Sequence, residues 1–428
     1  MVYVSMEGNT MSIAVHELAG KSDVVDLLST APWPPANRFR DLLEVGREAV
    51  RMEPADYFRS VFGSPTNWLP PHRQFSEFNI INPWRLLTTA RFLMDVTIPS
   101  SVVTTPDWAR TLFPDIINRR LWHPTSFFRQ PDEYGGFSSF QDEHWFFING
   151  IATNEDVARF NATYIAHLFH RPVTVVQNAT NSWPVDLFEC VIGKGFKNDP
   201  DSADRKTMTE PAWHATAAIL EALNAGQTQR VIVIAHSQGT IIAANVLRAI
   251  AKALQSELMQ QKNPRWHRFT NKLMGKVDTE TQKILRNNLA HSLSVFARGG
   301  TVKAQQKLRK LEIYTFANCA DKMRYVYPAR RLPYMEHFAN EYDMVARLGI
   351  LSPLRRGPRP LIEIDGPVFE QKGGWGHLLN EHYLTPIDQH LYPASNRSTR
   401  PDSPYIKGGQ RPQHPRLYEY FHGKQPPK

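Results

Sequence analysis

Residues 231–245 read VIVIAHSQGTIIAAN, and no other stretch constrains the fold of this chain as tightly. A β-branched apolar strand from Val231 to Ile234 breaks off at His236-Ser237-Gln238-Gly239, and an Ala/Ile-rich helical pattern begins at once. A strand and a helix joined over so short a turn bring their backbones close, which demands small residues two places before and two after the serine. Ala235 and Gly239 fill those places, Ala235 standing where glycine is commoner. Such a strand, sharp turn and helix present the serine hydroxyl at the apex as a nucleophile. The plain alternative is a buried strand and a helix for which Ser237 is only a cap.

A serine hydroxyl is a weak nucleophile at neutral pH. It needs a histidine to take its proton and an acid to fix that histidine's tautomer. In a doubly wound sheet these partners sit on loops at the carboxyl ends of later strands. Tyr334–Phe338 reads as one such strand, and Asp343 follows it; a strand over 361–364 is followed by the glycine-rich loop that carries His377. The order Ser237, Asp343, His377 fits the chemistry. Glu341, Asp365 and Asp321 are alternative acids, Asp343 could serve merely as a helix cap, and His382 is the alternative histidine. The oxyanion of an acyl transfer needs backbone donors. Gln238 N–H, at the start of the helix, is one; Ile151 N–H, after the turn at Asn149-Gly150, is the second.

Composition bounds the rest. The chain has 428 residues, 42% hydrophobic and 21% charged, as expected of a globule with a sizeable core. Its two cysteines, Cys190 and Cys319, make neither a disulfide framework nor a metal site. Gly193-Lys194-Gly195 lacks the flanking residues of a phosphate loop, and no His-Glu-x-x-His occurs. No basic leader with an apolar core opens the chain, and no apolar run reaches the roughly eighteen residues that span a bilayer. The expectation is a soluble, cytoplasmic protein without cofactor or metal. The formal charge of +9 is concentrated between Lys252 and Lys310, where thirteen Lys/Arg face three acids. That block is either a solvated helical face or a surface for an anionic substrate or membrane. No nucleic-acid motif accompanies it.

Strand-like runs at 145–148, 173–176, 231–234, 311–316, 334–338 and 361–364 alternate with helical or loop connections. Phe160, Tyr164, Ile165, Leu168 and Phe169 share one helical face, and Thr207 with Glu210 forms a capping box before a helix through Leu223. Alternation of this kind predicts an α/β fold with a mostly parallel sheet covered by helices on both faces. A hairpin is expected over Val2–Met6 and Met11–Val15, and a short amphipathic helix over Leu86–Ile98.

The segments FFINGIATN, VIAHSQGT, HFANEYDMVARLG and GHLLNEHYL, spread over residues 144–390, resemble the α/β-hydrolase superfamily, and within it the lipase-like serine esterases of the fungal type. The resemblance implies an α/β-hydrolase domain over 140–392. An irregular Pro- and aromatic-rich arm (1–139) precedes it and a basic Pro-rich tail (393–428) follows. Residues 256–309 form a basic helical insertion that lies over or beside the site as a lid. It implies hydrolysis of an ester or thioester through an acyl-enzyme, with no cofactor, and some relatives of this type accompany natural-product biosynthesis. Aromatic residues at Trp145, Phe146 and Phe147 favour a hydrophobic acyl group. Two further readings are a peripheral membrane lipase and, because Ala235 and Asn149 depart from the usual residues, a scaffold or cyclisation helper that hydrolyses nothing.

Overall fold

The computed structural model describes residues 2–7, 10–15, 54–64, 66, 69, 72–81, 125–129, 142–150, 153, 155–178, 210–261, 265–274, 280–326, 331–355, 360, 362–391, 405–407 and 414–427. The hairpin is present as β1 (Val2–Glu7) and β2 (Thr10–Val15), with Val2 opposite Val15. Helix α1 (Pro54–Phe62), a 3-10 turn over Glu77–Asn79 and strand β3 (Thr125–Arg129) follow. Then β4 (Glu143–Ile148), α2 (Glu155–Phe169), β5 (Val173–Asn178), α3 (Glu210–Asn224), β6 (Arg230–His236) and α4 (Gly239–Gln255) alternate. Helices α5 (Trp266–Met274), α6 (Glu280–Ala297) and α7 (Gly300–Leu308) lead to β7 (Leu311–Phe316), β8 (Lys322–Met323) and β9 (Tyr334–Asn340). The chain continues through α8 (Met344–Leu348), β10 (Glu363–Ile364), β11 (Val368–Gln371), a π-helical turn over Leu379–Leu384 and α9 (Thr385–Leu391). Strand β12 (Ile406–Lys407) and a 3-10 segment over Arg416–Gly423 complete it.

Eight strands form one sheet in the order β12-β11-β9-β7-β6-β4-β5-β3. The six from β11 to β5 are parallel, and β12 and β3 close the two edges antiparallel. The fold is α/β. Every residue of β6 and of β7 is buried, so both faces of the sheet are covered, as parallel strands require. On one face Phe316 meets Tyr383 edge-on, and Phe338 packs on Tyr405 and Tyr418. Helices α3 and α4 pack on each other and on β6. The chain lays β5 on one side of β4 and then crosses to lay β6 on the other. This reversal opens a crevice at the carboxyl ends of β4 and β6, where ligands bind in open α/β sheets.

Several expectations change. The strand expected at 361–364 is only Glu363–Ile364, and it pairs with β8 in a separate ribbon. The main sheet is completed by β11, whose Val-Phe-Glu-Gln is too short and too polar for its alternation to stand out. Strand β3 lies in the span expected to be an arm and β12 in the span expected to be a tail, so both spans supply sheet. The helix expected over 86–98 and the cap at Thr207 fall outside the described residues. The basic insertion forms a helical layer: α6 lies along α3, and Lys307 Nζ donates to Asn224 Oδ1 at 3.0 Å and to the Val295 carbonyl at 2.6 Å. No helix among the described residues is long and apolar enough to cross a membrane.

The last residues are held by buried charge. Arg171 and Glu143, both without side-chain exposure, pair at 2.7 Å. Arg171 Nη2 also donates to the Lys424 carbonyl at 2.9 Å, and Gln425 Nε2 to Glu143 Oε1 at 2.7 Å. Removing one partner of such a pair strands the other charge in the core. Arg171→Met is expected to lower unfolding free energy by about 3–5 kcal/mol, read from the urea midpoint. A loss below about 1 kcal/mol, the range of an exposed pair, would show the pair to be dispensable.

Candidate active site

Ser237 follows β6 directly and has φ +55°, a left-handed backbone that is costly for any residue but glycine. Its N–H donates to the Phe316 carbonyl at 3.0 Å, tying the turn to β7. Gly239 does sit at a close backbone approach, though to β4 and not to β6, the strand it follows. A Cβ there would stand 2.2 Å from the Ile148 carbonyl oxygen, so α4 starts in contact with the end of β4. Gly150 is constrained in the same way, since its Cβ would lie 2.5 Å from that of Ser237. Thr240 Oγ1 stitches the turn by donating to the Ser237 carbonyl at 2.6 Å and accepting the Cys319 N–H at 3.1 Å.

Three residues far apart in sequence meet at this turn. His377 Nε2 lies 3.0 Å from Ser237 Oγ, and His377 Nδ1 lies 2.9 Å from Asp343 Oδ2. An ionised carboxylate only accepts, so Nδ1 carries the proton and Nε2 faces the hydroxyl as acceptor. Asp343 is fully buried and also caps α8, its Oδ1 accepting the Val345 N–H at 2.8 Å. One carboxylate thus both caps α8 and pairs with the His377 ring. Burial works against a charged His377; the charge and hydrogen bond of Asp343 outweigh it and hold the imidazole above its ordinary pKa.

Sequence reasoning missed three residues that shape this arrangement. Tyr383 donates its hydroxyl to Asp343 Oδ2 at 2.6 Å and accepts the Asn340 N–H at 3.2 Å. Asn340 Nδ2 in turn donates to the carbonyls of Gly376 and His382. His236 packs on His377, with ring centroids 4.7 Å apart, and its Nε2 donates to the His377 carbonyl at 2.9 Å. Burial, then the neighbouring His377, push the pKa of His236 well down, so it is a neutral donor. The local signal for His236 was present, immediately before the serine; Tyr383 and Asn340 carried none.

The alternative partners are engaged elsewhere. Glu341 accepts the Gly373 N–H, and Asp365 accepts the Tyr325 N–H at 2.8 Å. Asp321 acts on Arg248. His382 is buried with its Nδ1 accepting the Leu378 N–H at 3.0 Å, and burial lowers its pKa to about 3. Of the two backbone donors, Gln238 stands at the N-terminus of α4, while Ile151 lies outside the described residues. Asn149 turns its side chain onto the Gly150 carbonyl at 3.0 Å. Trp145, Phe146 and Phe147 belong to the core, Trp145 stacked on Phe169, and do not face a substrate. Among the described residues no cluster of His, Cys, Asp or Glu could hold a metal ion.

The balance at His377 can be tested by titration. Asparagine at 343 keeps a helix cap but loses the charge. Wild-type His377 is expected to titrate above the ordinary imidazole value of about 6.5, and in Asp343→Asn, where burial is opposed only by the smaller effects of Cys319 and Glu77, below it. NMR of labelled histidine reads both, and a variant midpoint at or above the wild-type one contradicts the assignment. No protein-family model, curated protein or solved structure matches this chain.

Proposed function

We propose that the chain is a serine hydrolase of the α/β-hydrolase type that cleaves an ester or thioester of a hydrophobic acyl group. The observation that carries this reading is the unbroken hydrogen-bond chain from Asp343 through His377 to Ser237 Oγ, at 2.9 and 3.0 Å. Ser237 Oγ attacks the acyl carbon while His377 Nε2 takes its proton. The carbonyl electrons move to the oxygen, which the Gln238 N–H stabilises; the second donor, expected from sequence at Ile151, lies outside the described residues. Collapse expels the alcohol or thiol, which receives the proton from His377, leaving an acyl-enzyme. Water deprotonated by His377 then releases the acid and regenerates Ser237. Asp343 holds the ring and balances its charge throughout. No cofactor enters these steps. Ser237 is only 1% exposed, which suits an acyl group that sheds its water on entry.

A fluorophosphonate probe should label the wild type and not Ser237→Ala, and nitrophenyl esters should be hydrolysed with a rate loss of at least about 10³-fold in that variant. A folded wild-type protein that neither labels nor hydrolyses would instead be the non-hydrolytic scaffold.

A second reading, contact with an anionic substrate or membrane, is favoured by one feature. Arg265, just before α5, and Arg268 and Lys272 on it line a cavity of about 520 Å³ with Ser256, Leu258, Gln261 and Phe269. Like charges at this helical spacing repel one another unless an anion sits among them. Sedimentation with vesicles should rise with anionic lipid and fall between low and high salt. Indifference to both removes this reading and leaves the hydrolase untouched.

A further inference from the structure

Within the span expected to be an irregular arm, Arg59, Val61, Gly63, Phe75 and Glu77 grip the loop that carries His377 from both sides. Before the histidine, the Arg59 guanidinium lies 4.3 Å over the Trp375 ring. At the histidine itself, the Val61 carbonyl accepts the His377 N–H at 2.8 Å. Gly63, with φ +71°, lies so close to His382 that a Cβ would stand 2.4 Å from the ring. After the histidine, the Phe75 carbonyl accepts from Asn380 Nδ2 at 2.9 Å. Glu77, 1% exposed, then takes the N–H of Asn380 on one oxygen at 2.6 Å and that of Glu381 on the other at 2.9 Å.

We infer that this segment is an intrachain clamp that sets the His377 imidazole against Ser237, with Glu77 as its positioning residue. The inference rests on the proposed role of His377. Glu77 does not contact Ser237; it fixes the Asn380 and Glu381 amides in the turn over 379–384 and so the exit of the loop. An isosteric amide offers one acceptor oxygen where the carboxylate offers two, so the pair of amide contacts requires the acid itself.

The acid is also held at a cost. Burial, opposed by its hydrogen bonds and reinforced by the neighbouring Glu381, raises the pKa of Glu77 to about 7. A buried carboxylate is a poor device for stability alone, since apolar packing of the same volume serves as well or better. Its charge does reach the site: among the groups acting on His377, Asp343, Cys319 and Glu77 all favour the protonated ring. Removing the Glu77 charge therefore lowers the His377 pKa.

The test uses the full chain with a nitrophenyl ester, and Ser237 labelling in parallel. In Glu77→Gln we expect an unchanged thermal midpoint and KM, a kcat reduced about 10- to 100-fold, as misplacement of a reacting group costs, and an acid limb of kcat/KM moved to lower pH. A purely structural residue would not move that limb. Asn380→Ala loses the Phe75 contact but keeps the charge, so kcat should fall with the limb in place; this variant carries the test if Glu77→Gln fails to fold. Wild-type kcat in the folded variants, or an unmoved limb in Glu77→Gln, overturns the clamp while the hydrolase reading stands. A wild type that neither turns over nor labels removes both.

Discussion

The carboxylate of Asp343 organises the carboxyl-terminal side of the sheet. It is a fully buried acid, and a buried charge is tolerable only when its oxygens are satisfied. Here they accept from the Val345 and Ala346 amides, the His377 ring and the Tyr383 hydroxyl. These donors come from three pieces of the fold. The two amides begin α8, which lies against α1; Tyr383 lies in the turn after His377 and also accepts the Asn340 N–H. Asn340 Oδ1 accepts from Tyr405, beside the edge strand β12. One charge thus determines how a helix, a loop and the carboxyl-terminal chain sit relative to β9.

The same network explains why the site is not a set of interchangeable parts. Asp343 can act on His377 only because its other lone pairs are already occupied, which leaves the ring with a directed partner rather than a diffuse charge. His236 packs against the same ring. It is neutral, fully determined in its donor role, and holds the His377 carbonyl, so it fixes the backbone of the base without competing for its proton.

What the sequence disclosed follows the range of the interactions involved. The turn at Ser237 was legible because its pattern of a strand, small residues around a serine and a helix is written in adjacent residues, although the space at Gly239 is closed by the end of β4. The central parallel strands were legible because burial on both faces makes them continuously apolar. Asp343 and His377 could be narrowed by chain order, though not separated from Glu341, Asp365, Asp321 or His382, because the choice among them depends on which loop bends toward the serine. Tyr383, Asn340 and Glu77 were invisible. Each acts through one hydrogen-bonding atom on a partner that its own neighbourhood in the chain does not reveal. The short edge strands β11 and β12 were hidden for a related reason, since pairing with a preformed sheet supplies the stability that their few residues lack.

Enclosure and reactivity are set against each other in this arrangement. A serine exposed by 1% is shielded from bulk water, which strengthens every interaction between it, His377 and Asp343 by lowering the local dielectric. The left-handed backbone at Ser237 and the close approach that the glycines at 150 and 239 permit bring the hydroxyl to the imidazole. Reorganisation on reaction is then small, because the turn, the ring and the acid are already in place before a substrate arrives. For the proposed hydrolase the counterpart is access along the crevice between the ends of β4 and β6, where Gly150 lies against Ser237. A methyl group at 150 would meet the serine before any substrate did, so the glycine is as much a part of the hydroxyl's chemistry as the histidine that faces it.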